Sequence, residues 1–195
     1  MNNIRLDNYR DYFRYLQNQS ALGSIYRKYF LYPFLSRQID STFLDVGCGV
    51  GLFLAHGSQQ SVGLDVNPYC VDHVRSNGLN SELISSDGSF PLRDNSFKSV
   101  VCDQVLEHLE QPDRLLTEID RVLIPGGTLL IGLPLKKGFV ADSDHKHFYT
   151  LNGLIEAVRL FCPSVSYSRH FYFPLPFRIL GDFFSWQYLY VVFTS

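Results

Sequence analysis

The most constraining feature of the chain is a short apolar run that ends in Leu44-Asp45-Val46-Gly47-Cys48-Gly49-Val50-Gly51. Its three glycines, at alternate positions, let the backbone turn sharply and approach a ligand with no Cβ in the way. Residues 42–46 read as a buried strand before that turn, and residues 52–57 as a short helix after it. A second strand-like run, residues 61–65, ends in Asp65, fourteen residues beyond Gly51. A carboxylate placed there accepts from two ribose hydroxyls. A glycine-rich turn followed at this spacing by a strand-terminal acid indicates a nucleoside-bearing cofactor.

The rest of the chain keeps the same alternation. Asn67 reads as an N-cap, Pro68 as the first helical residue and Gly78 as the stop. Residues 82–85, 99–102 and 128–133 read as further strands. Between the last two lies an amphipathic helix, 112–123, with Leu115, Leu116, Ile119 and Leu123 on one face and Pro125-Gly126-Gly127 closing it. Thr150 caps a helix that runs to residue 161. Strands alternating with helices imply βαβ units and a largely parallel sheet. Residues 164–173 and 187–194 then form an antiparallel pair at one sheet edge, separated by a segment broken at Pro174, Pro176 and Gly181. The first forty residues are helical, with Leu6, Tyr9, Phe13 and Leu16 on one stripe. A second set, Ile25, Tyr29 and Tyr32, ends near Pro33.

Composition sets the outer bounds. A chain of 195 residues makes one good-sized core. A net charge of −2 lacks the basic face of a duplex nucleic-acid binder. No uncharged apolar run reaches the roughly 18 residues of a membrane span, and the first fifteen residues carry no secretory pattern. Cys48, Cys70, Cys102 and Cys162 are scattered with no CxxC pair, so neither a disulfide framework nor a zinc knuckle is indicated. The expectation is one soluble, cytoplasmic, single-domain protein.

The Asp-x-Gly-x-Gly-x-Gly form of the turn resembles motif I of the class I S-adenosylmethionine-dependent methyltransferases, and later segments extend the likeness. Asp65-Val66-Asn67-Pro68 resembles the second motif of that family. Ser86-Asp87-Gly88-Ser89-Phe90-Pro91-Leu92, followed by Asp94-Asn95-Ser96-Phe97, resembles the third, one residue shorter before its proline. Val105-Leu106-Glu107-His108-Leu109 and Arg121-Val122-Leu123-Ile124-Pro125-Gly126-Gly127 match the two segments that follow in its small-molecule branch. The resemblance spans residues 43–149 in the expected order. It implies a Rossmann-like three-layer αβα sandwich with a seven-stranded, mostly parallel sheet and an antiparallel last strand. Residues 1–40 would be a helical cap on a cofactor-binding domain, 41–195.

The cofactor implied is S-adenosyl-L-methionine, held by Asp45, Gly47, Cys48, Gly49, Gly51, Asp65, Val66, Ser86, Asp87, Gly88 and Gln104. By resemblance, Asp45 orients the turn and the methionine amine, while Gly47 and Gly49 pass beneath the methionyl-ribose. Asp65 binds the ribose and Val66 packs on the adenine. Asp87 and the Gly88 N–H meet the adenine edge, and Gln104 lies near the methionine end. Cys48 and Cys102 read as small core residues rather than nucleophiles.

Three histidines are candidates for the acceptor side: His108, His145 and His147. In quinone-pathway members of the family a Glu-x-x-Glu-His run holds a divalent metal. Gln104 replaces the first of those glutamates here, so no metal is expected and His108 reads as a histidine packed near the pocket. His145 and His147 follow the fifth strand, where parallel-sheet enzymes place substrate loops. They read as substrate contacts or proton acceptors, with a solvated loop as the alternative.

The implied activity is methyl transfer to oxygen or nitrogen of a small molecule, such as a glycan, lipid-linked or quinone-type precursor. A catalytically idle cofactor-binding partner subunit is the alternative. A nicotinamide reductase lacks support after Gly51, with no Tyr-x-x-x-Lys pair. A nucleic-acid methyltransferase would show an Asn/Asp-Pro-Pro-Tyr-type motif where the chain has Asp103-Gln104-Val105-Leu106, so no nucleic-acid partner is expected. Both ends are rich in aromatics, including Tyr29 and Phe30 near the start and Phe171, Phe177, Phe183, Phe184 and Trp186 near the end. Either these segments pack on one another, or they present an apolar acceptor at a peripheral membrane contact, with Arg5, Arg10, Arg14, Arg27 and Lys28 toward anionic headgroups.

Overall fold

The computed structural model describes residues 6–18, 21–173 and 188–195. Seven strands form the sheet: β1 (Leu44–Val46), β2 (Val62–Asp65), β3 (Asn80–Leu83), β4 (Phe97–Asp103), β5 (Leu123–Pro134), β6 (Ser166–Phe173) and β7 (Tyr188–Thr194). Their order is β3-β2-β1-β4-β5-β7-β6. Pairing is parallel for β1 with β2, β2 with β3 and β4 with β5. β7 runs antiparallel to both β5 and β6. This is the mostly parallel, Rossmann-like sheet with an antiparallel last strand that the sequence implies. The chain divides into two compact units, residues 1–92 and 93–195.

In the first unit, α1 (Leu6–Gln17), α2 (Ala21–Tyr26), a π-helical turn (Arg27–Leu31) and α3 (Tyr32–Ser36) precede the strands. Pro33 does not end this run. It falls in the first turn of α3, where a missing N–H breaks no intrahelical bond. β1 is buried at all three positions, as befits a strand of a parallel sheet covered on both faces. α4 (Pro68–Ser76) starts where its cap predicts: Asn67 Oδ1 accepts from Tyr69 N at 3.0 Å. The buried amide of Asn67 also donates to the Tyr9 carbonyl at 2.8 Å, tying α1 to the start of α4. Phe13 packs against Tyr69 and His73, and the Arg10 guanidinium lies 5.2 Å over the Tyr69 ring.

The helix expected after the glycines is a single 3₁₀ turn, Leu54–His56, capped by Gly57. Cys48 points into the core against Gly63, where an added Cβ would lie 2.6 Å from its Sγ.

In the second unit, α5 (Asp113–Val122) runs straight into β5, so Pro125-Gly126-Gly127 lies inside the strand rather than closing the helix. A register shift opposite, between Phe97 and Ser99, absorbs the irregularity. β5 and β7 supply the core with Leu129, Leu130, Ile131, Val191 and Val192, all fully buried. Each such side chain contributes roughly 1.5–3 kcal/mol. α6 (Lys136–Ala141) follows β5, and α7 (Leu151–Phe161) is capped by Thr150 Oγ1, which accepts from Gly153 N at 3.1 Å.

Among the described residues no helix is long and apolar enough to cross a membrane. Arg5, Pro174, Pro176, Phe177, Gly181, Phe183, Phe184 and Trp186, which entered the aromatic-end and break readings, lie outside the described residues.

Candidate functional site

In the first unit, the turn after β1 is built by glycines in left-handed conformations: Gly47 at φ 75°, Gly49 at φ 53° and Gly51 at φ 78°. The Gly47 and Cys48 amides both donate to the Leu64 carbonyl, at 2.7 and 2.9 Å, which locks the turn to β2. A Cβ at Gly51 would come within 3.0 Å of Val74, so that glycine lets the turn pack on α4. Gly49 has a different reason. A Cβ there would meet only Leu16 Cδ1, at 3.4 Å, so the fold tolerates the volume and the backbone conformation alone demands glycine.

Asp65 reaches from the end of β2 to hold this turn. Its Oδ2 accepts from Gly49 N at 2.9 Å and its Oδ1 from Asn67 N at 2.8 Å. Burial pushes its carboxyl above the usual range, and these backbone N–H groups, with that of Val66, pull it back. A carboxylate has about four lone-pair sites; the backbone bonds do not fill them all, which leaves room for a ligand hydroxyl. Val66, the next residue, is 45% exposed, an apolar platform beside the acid. Asp45 is buried at the base of the turn. Cys48 contributes backbone only, since its side chain is in the core, where burial pushes the thiol far above its ordinary range.

The segment after β3 is a tight turn. Ser85 N donates to the Ser89 carbonyl and Gly88 N to the Ser85 carbonyl, so the Gly88 amide closes the turn. Asp87 Oδ1 accepts from Ser89 N and Ser89 Oγ, with Ser86 and Asp87 both exposed. The cradle therefore consists of Asp45, the glycine turn, Asp65 and Val66, with the 85–89 turn in the same unit.

The second unit holds the remaining candidates. Gln104 follows β4 in a left-handed conformation, φ 58°, rare for a residue with a Cβ. Its N–H donates to the Gly132 carbonyl at 3.0 Å, and its side-chain Nε2 is buried with no hydrogen-bond partner. Such strain concentrates at functional sites. Glu107 and His108 lie in a 3₁₀ turn, Leu106–His108. Burial lowers the His108 imidazole, helped by His145; Asp144 and Asp142 oppose it. The structure brings His145 to this turn, its ring 4.7 Å from that of His108 and its Nε2 3.9 Å from Glu107 Oε1. His147 is not brought in: it is exposed and packs on Tyr149. Sequence reading missed Glu107 as a site residue. The available signal was one acid in an otherwise apolar Val105-Leu106 run next to a histidine.

A family model described as a methyltransferase domain matches residues 44–131, which contain both the glycine turn and the Glu107–His108 turn. Residues 44–131 therefore match a class I S-adenosylmethionine-dependent methyltransferase domain, whose cofactor is S-adenosyl-L-methionine. The methyltransferase domain is similar to a protein of Mycolicibacterium smegmatis named as a probable S-adenosylmethionine-dependent methyltransferase, 33% identical over 105 residues, covering 52% of this chain and 41% of that one. It is also similar to a human protein named probable tRNA methyltransferase 9B, 29% identical over 126 residues, covering 63% of this chain and 26% of that one. The chain thus spans about a quarter to two-fifths of these curated relatives. Among solved structures, an S-adenosylmethionine-dependent methyltransferase of Archaeoglobus fulgidus shares the fold, with a TM-score of 0.66 at 16% identity, covering 90% of this chain and all of that one. A chain of the Haloferax volcanii complex between the Trm112 methyltransferase activator and a methyltransferase gives 0.73 at 17% identity, covering 95% and 97%.

Proposed function

We propose that the chain transfers the methyl group of S-adenosylmethionine to an oxygen or nitrogen atom of a small-molecule acceptor. The observation that carries the reading is the Asp65–Gly49 clamp, with acceptor capacity left on the carboxylate and Val66 exposed beside it. Bound in that cradle, the cofactor supplies an electrophilic methyl on a positive sulfonium. Asp65 holds the ribose hydroxyls, Val66 lies against the adenine, and Asp45 holds the amine end of the methionine. Gly47 and Gly49 keep side chains out of the cofactor's path. Ser86, Asp87, Gly88 and Gln104 complete the proposed cofactor set. Methyl transfer needs an aligned nucleophile and the exclusion of water more than a particular catalytic group. A hydroxyl or ammonium acceptor also needs a proton acceptor, and His145 is proposed for that side of the reaction, with His108 and His147 as the other candidates.

The finer reading is an apolar acceptor, lipid-linked or quinone-type. It is supported by Tyr29 and Phe30, 62% and 63% exposed, which lie beside Arg27 and Lys28 in the π turn. Co-sedimentation with anionic vesicles is expected; its absence, with methylation of a fully water-soluble acceptor, removes this reading. A cytoplasmic setting belongs to the same proposal and is supported by four free, buried cysteines. A tRNA acceptor is the second reading, favoured by the likeness to the human relative named for tRNA methylation.

The test is calorimetry with S-adenosylmethionine, followed by labelled methyl transfer to fractionated small-molecule extract and to total tRNA. Binding with label in the small-molecule fraction is expected. Label in tRNA favours the second reading, and binding without transfer to either favours an idle partner subunit. No binding overturns the assignment.

A further inference from the structure

Glu107 is 1% exposed, yet neither of its carboxylate oxygens has a hydrogen-bond partner. An unsatisfied buried acid is costly, and native structures rarely keep one without a use. Burial pushes its carboxyl up to about 8, against the pull of its own backbone N–H and with Asp103 and Asp142 acting in the same direction as burial. His145 faces it, with a side chain only 7% exposed, but at 3.9 Å the contact is too long for a hydrogen bond.

The tautomers follow from the neighbours. His145 Nδ1 lies 2.8 Å from the Phe139 carbonyl, which only accepts, so Nδ1 carries the proton and Nε2 presents its lone pair. His108 Nδ1 lies 3.2 Å from Asp144 Oδ2, which directs its Nε2 in the same way. An imidazole with one nitrogen bonded to a carboxylate or carbonyl and the other free is the arrangement found behind metal-ligating histidines. One ligand atom from each of Glu107, His108 and His145 lies within 4.8 Å of the others.

We propose that Glu107, His108 and His145 bind a divalent cation of the zinc class. Two neutral imidazoles and one carboxylate suit zinc, cobalt or ferrous iron better than magnesium or calcium, which prefer all-oxygen shells. Bonds near 2.1 Å in a tetrahedron put donors about 3.4 Å apart, so binding closes the trio by about 0.5 Å between His145 and Glu107 and by no more than about 1.4 Å elsewhere. The loop that moves is already tied in place, since the Lys146 and His147 amides both donate to the Glu107 carbonyl, at 2.6 and 3.1 Å. Three protein donors leave a position open to water or to an acceptor atom. With the cation bound, His145 Nε2 is a ligand and not a base, so the proton-acceptor role belongs to the metal-free chain. The donor set departs from Glu-x-x-Glu-His. Gln104 supplies no carboxylate, and the third ligand comes instead from the loop after β5.

The site goes beyond the methyl-transfer reading and is measured without it. The full chain, stripped with chelator and desalted, is titrated with Co²⁺, read by its visible absorption bands, and with Zn²⁺, read by calorimetry. One equivalent should bind in each case. Glu107→Gln and His145→Ala should each weaken binding by at least about a hundredfold. Asp144→Ala, which removes the carboxylate on the His108 ring and on Lys146 but none of the three ligands, should weaken it by about 10–100-fold. His170→Ala, an exposed histidine of β6, should leave it unchanged, and thermal melts confirm that each variant is folded. No one-equivalent Co²⁺ spectrum up to millimolar metal overturns the proposal, as does equal weakening by His170→Ala. S-adenosylmethionine binding is followed in the same samples, so failure of the methyl-donor reading appears as loss of that binding with metal binding intact.

Discussion

Asp65 and Glu107 are both buried acids near strand ends, one in each unit, and their surroundings treat them in opposite ways. Asp65 is held by two backbone amides at 2.8 and 2.9 Å and in turn holds the glycine turn in shape. Glu107 has no hydrogen bond to its carboxylate and faces two imidazoles just out of reach. A satisfied acid makes a preformed cradle, which binds without reorganising. An unsatisfied one stores free energy that a ligand or cation recovers on arrival. The first unit is thus finished for its ligand, and the second is poised for one.

Substitutions can break this contrast at several points. The largest effect is expected at Gly49→Val, which places a branched Cβ in the cofactor's path and strains a φ of 53° by about 1–3 kcal/mol. Calorimetry should find no cofactor binding, while a cooperative melt shows the chain folded, because among the described residues the new Cβ meets Leu16 alone, at 3.4 Å. Wild-type affinity would show that the turn is not the cradle. Next comes His145→Ala, expected to lower kcat by about a hundredfold, at the low end of proton-transfer contributions. The dissociation constant for S-adenosylmethionine should not change, and full kcat on the true acceptor would remove His145 from the reaction.

Asp65→Ala sharpens the other side. Charged hydrogen bonds are worth roughly 1.5–3 kcal/mol, so cofactor affinity should fall at least about tenfold. The variant also frees the Gly49 and Asn67 amides, so a lower Tm should accompany the loss. The smallest effect has the opposite sign. Glu107→Leu removes an unsatisfied buried acid and should stabilise the metal-free chain by about 1–3 kcal/mol, or about 3 °C in Tm per kcal/mol at this length. A destabilised variant would mean that the Glu107 carboxyl is satisfied in solution, and the contrast between the two acids would fail.

The same two regions explain what the sequence could reveal. The cradle was legible because its parts are local: the turn residues, their acid and the Asn67-Pro68 cap fall within twenty-five residues, and each has a specific backbone reason. The Glu107 cluster was not, because its third member comes from a loop more than thirty residues away and burial of a single acid leaves no pattern. Elsewhere the misreadings have local causes. Pro33 and Pro125 look like breakers, but one sits in a first helical turn and the other in a strand whose neighbour shifts register. α6, with Gly138 inside it and no capping side chain, carries too weak a local signal and leans on β5. The seven-stranded, mostly parallel sheet followed from the resemblance that the ordered motifs carry, whereas the helix expected over residues 52–57 is a single 3₁₀ turn.

That single 3₁₀ turn has a consequence for selectivity among the nucleotides a cell contains. A dinucleotide's pyrophosphate is recognised by the amides and positive end of a long helix following the glycine turn. Leu54–His56 offers three residues and almost no aligned peptide dipoles. Asp45 and Asp65 meanwhile bring two carboxylates to the same turn. Phosphate groups therefore meet repulsion there with nothing to offset it, whereas a ligand bearing an ammonium and a sulfonium meets attraction. In the proposed cradle the short turn would act as a charge filter, favouring adenosine carried on a cation over the far more abundant adenosine carried on phosphate.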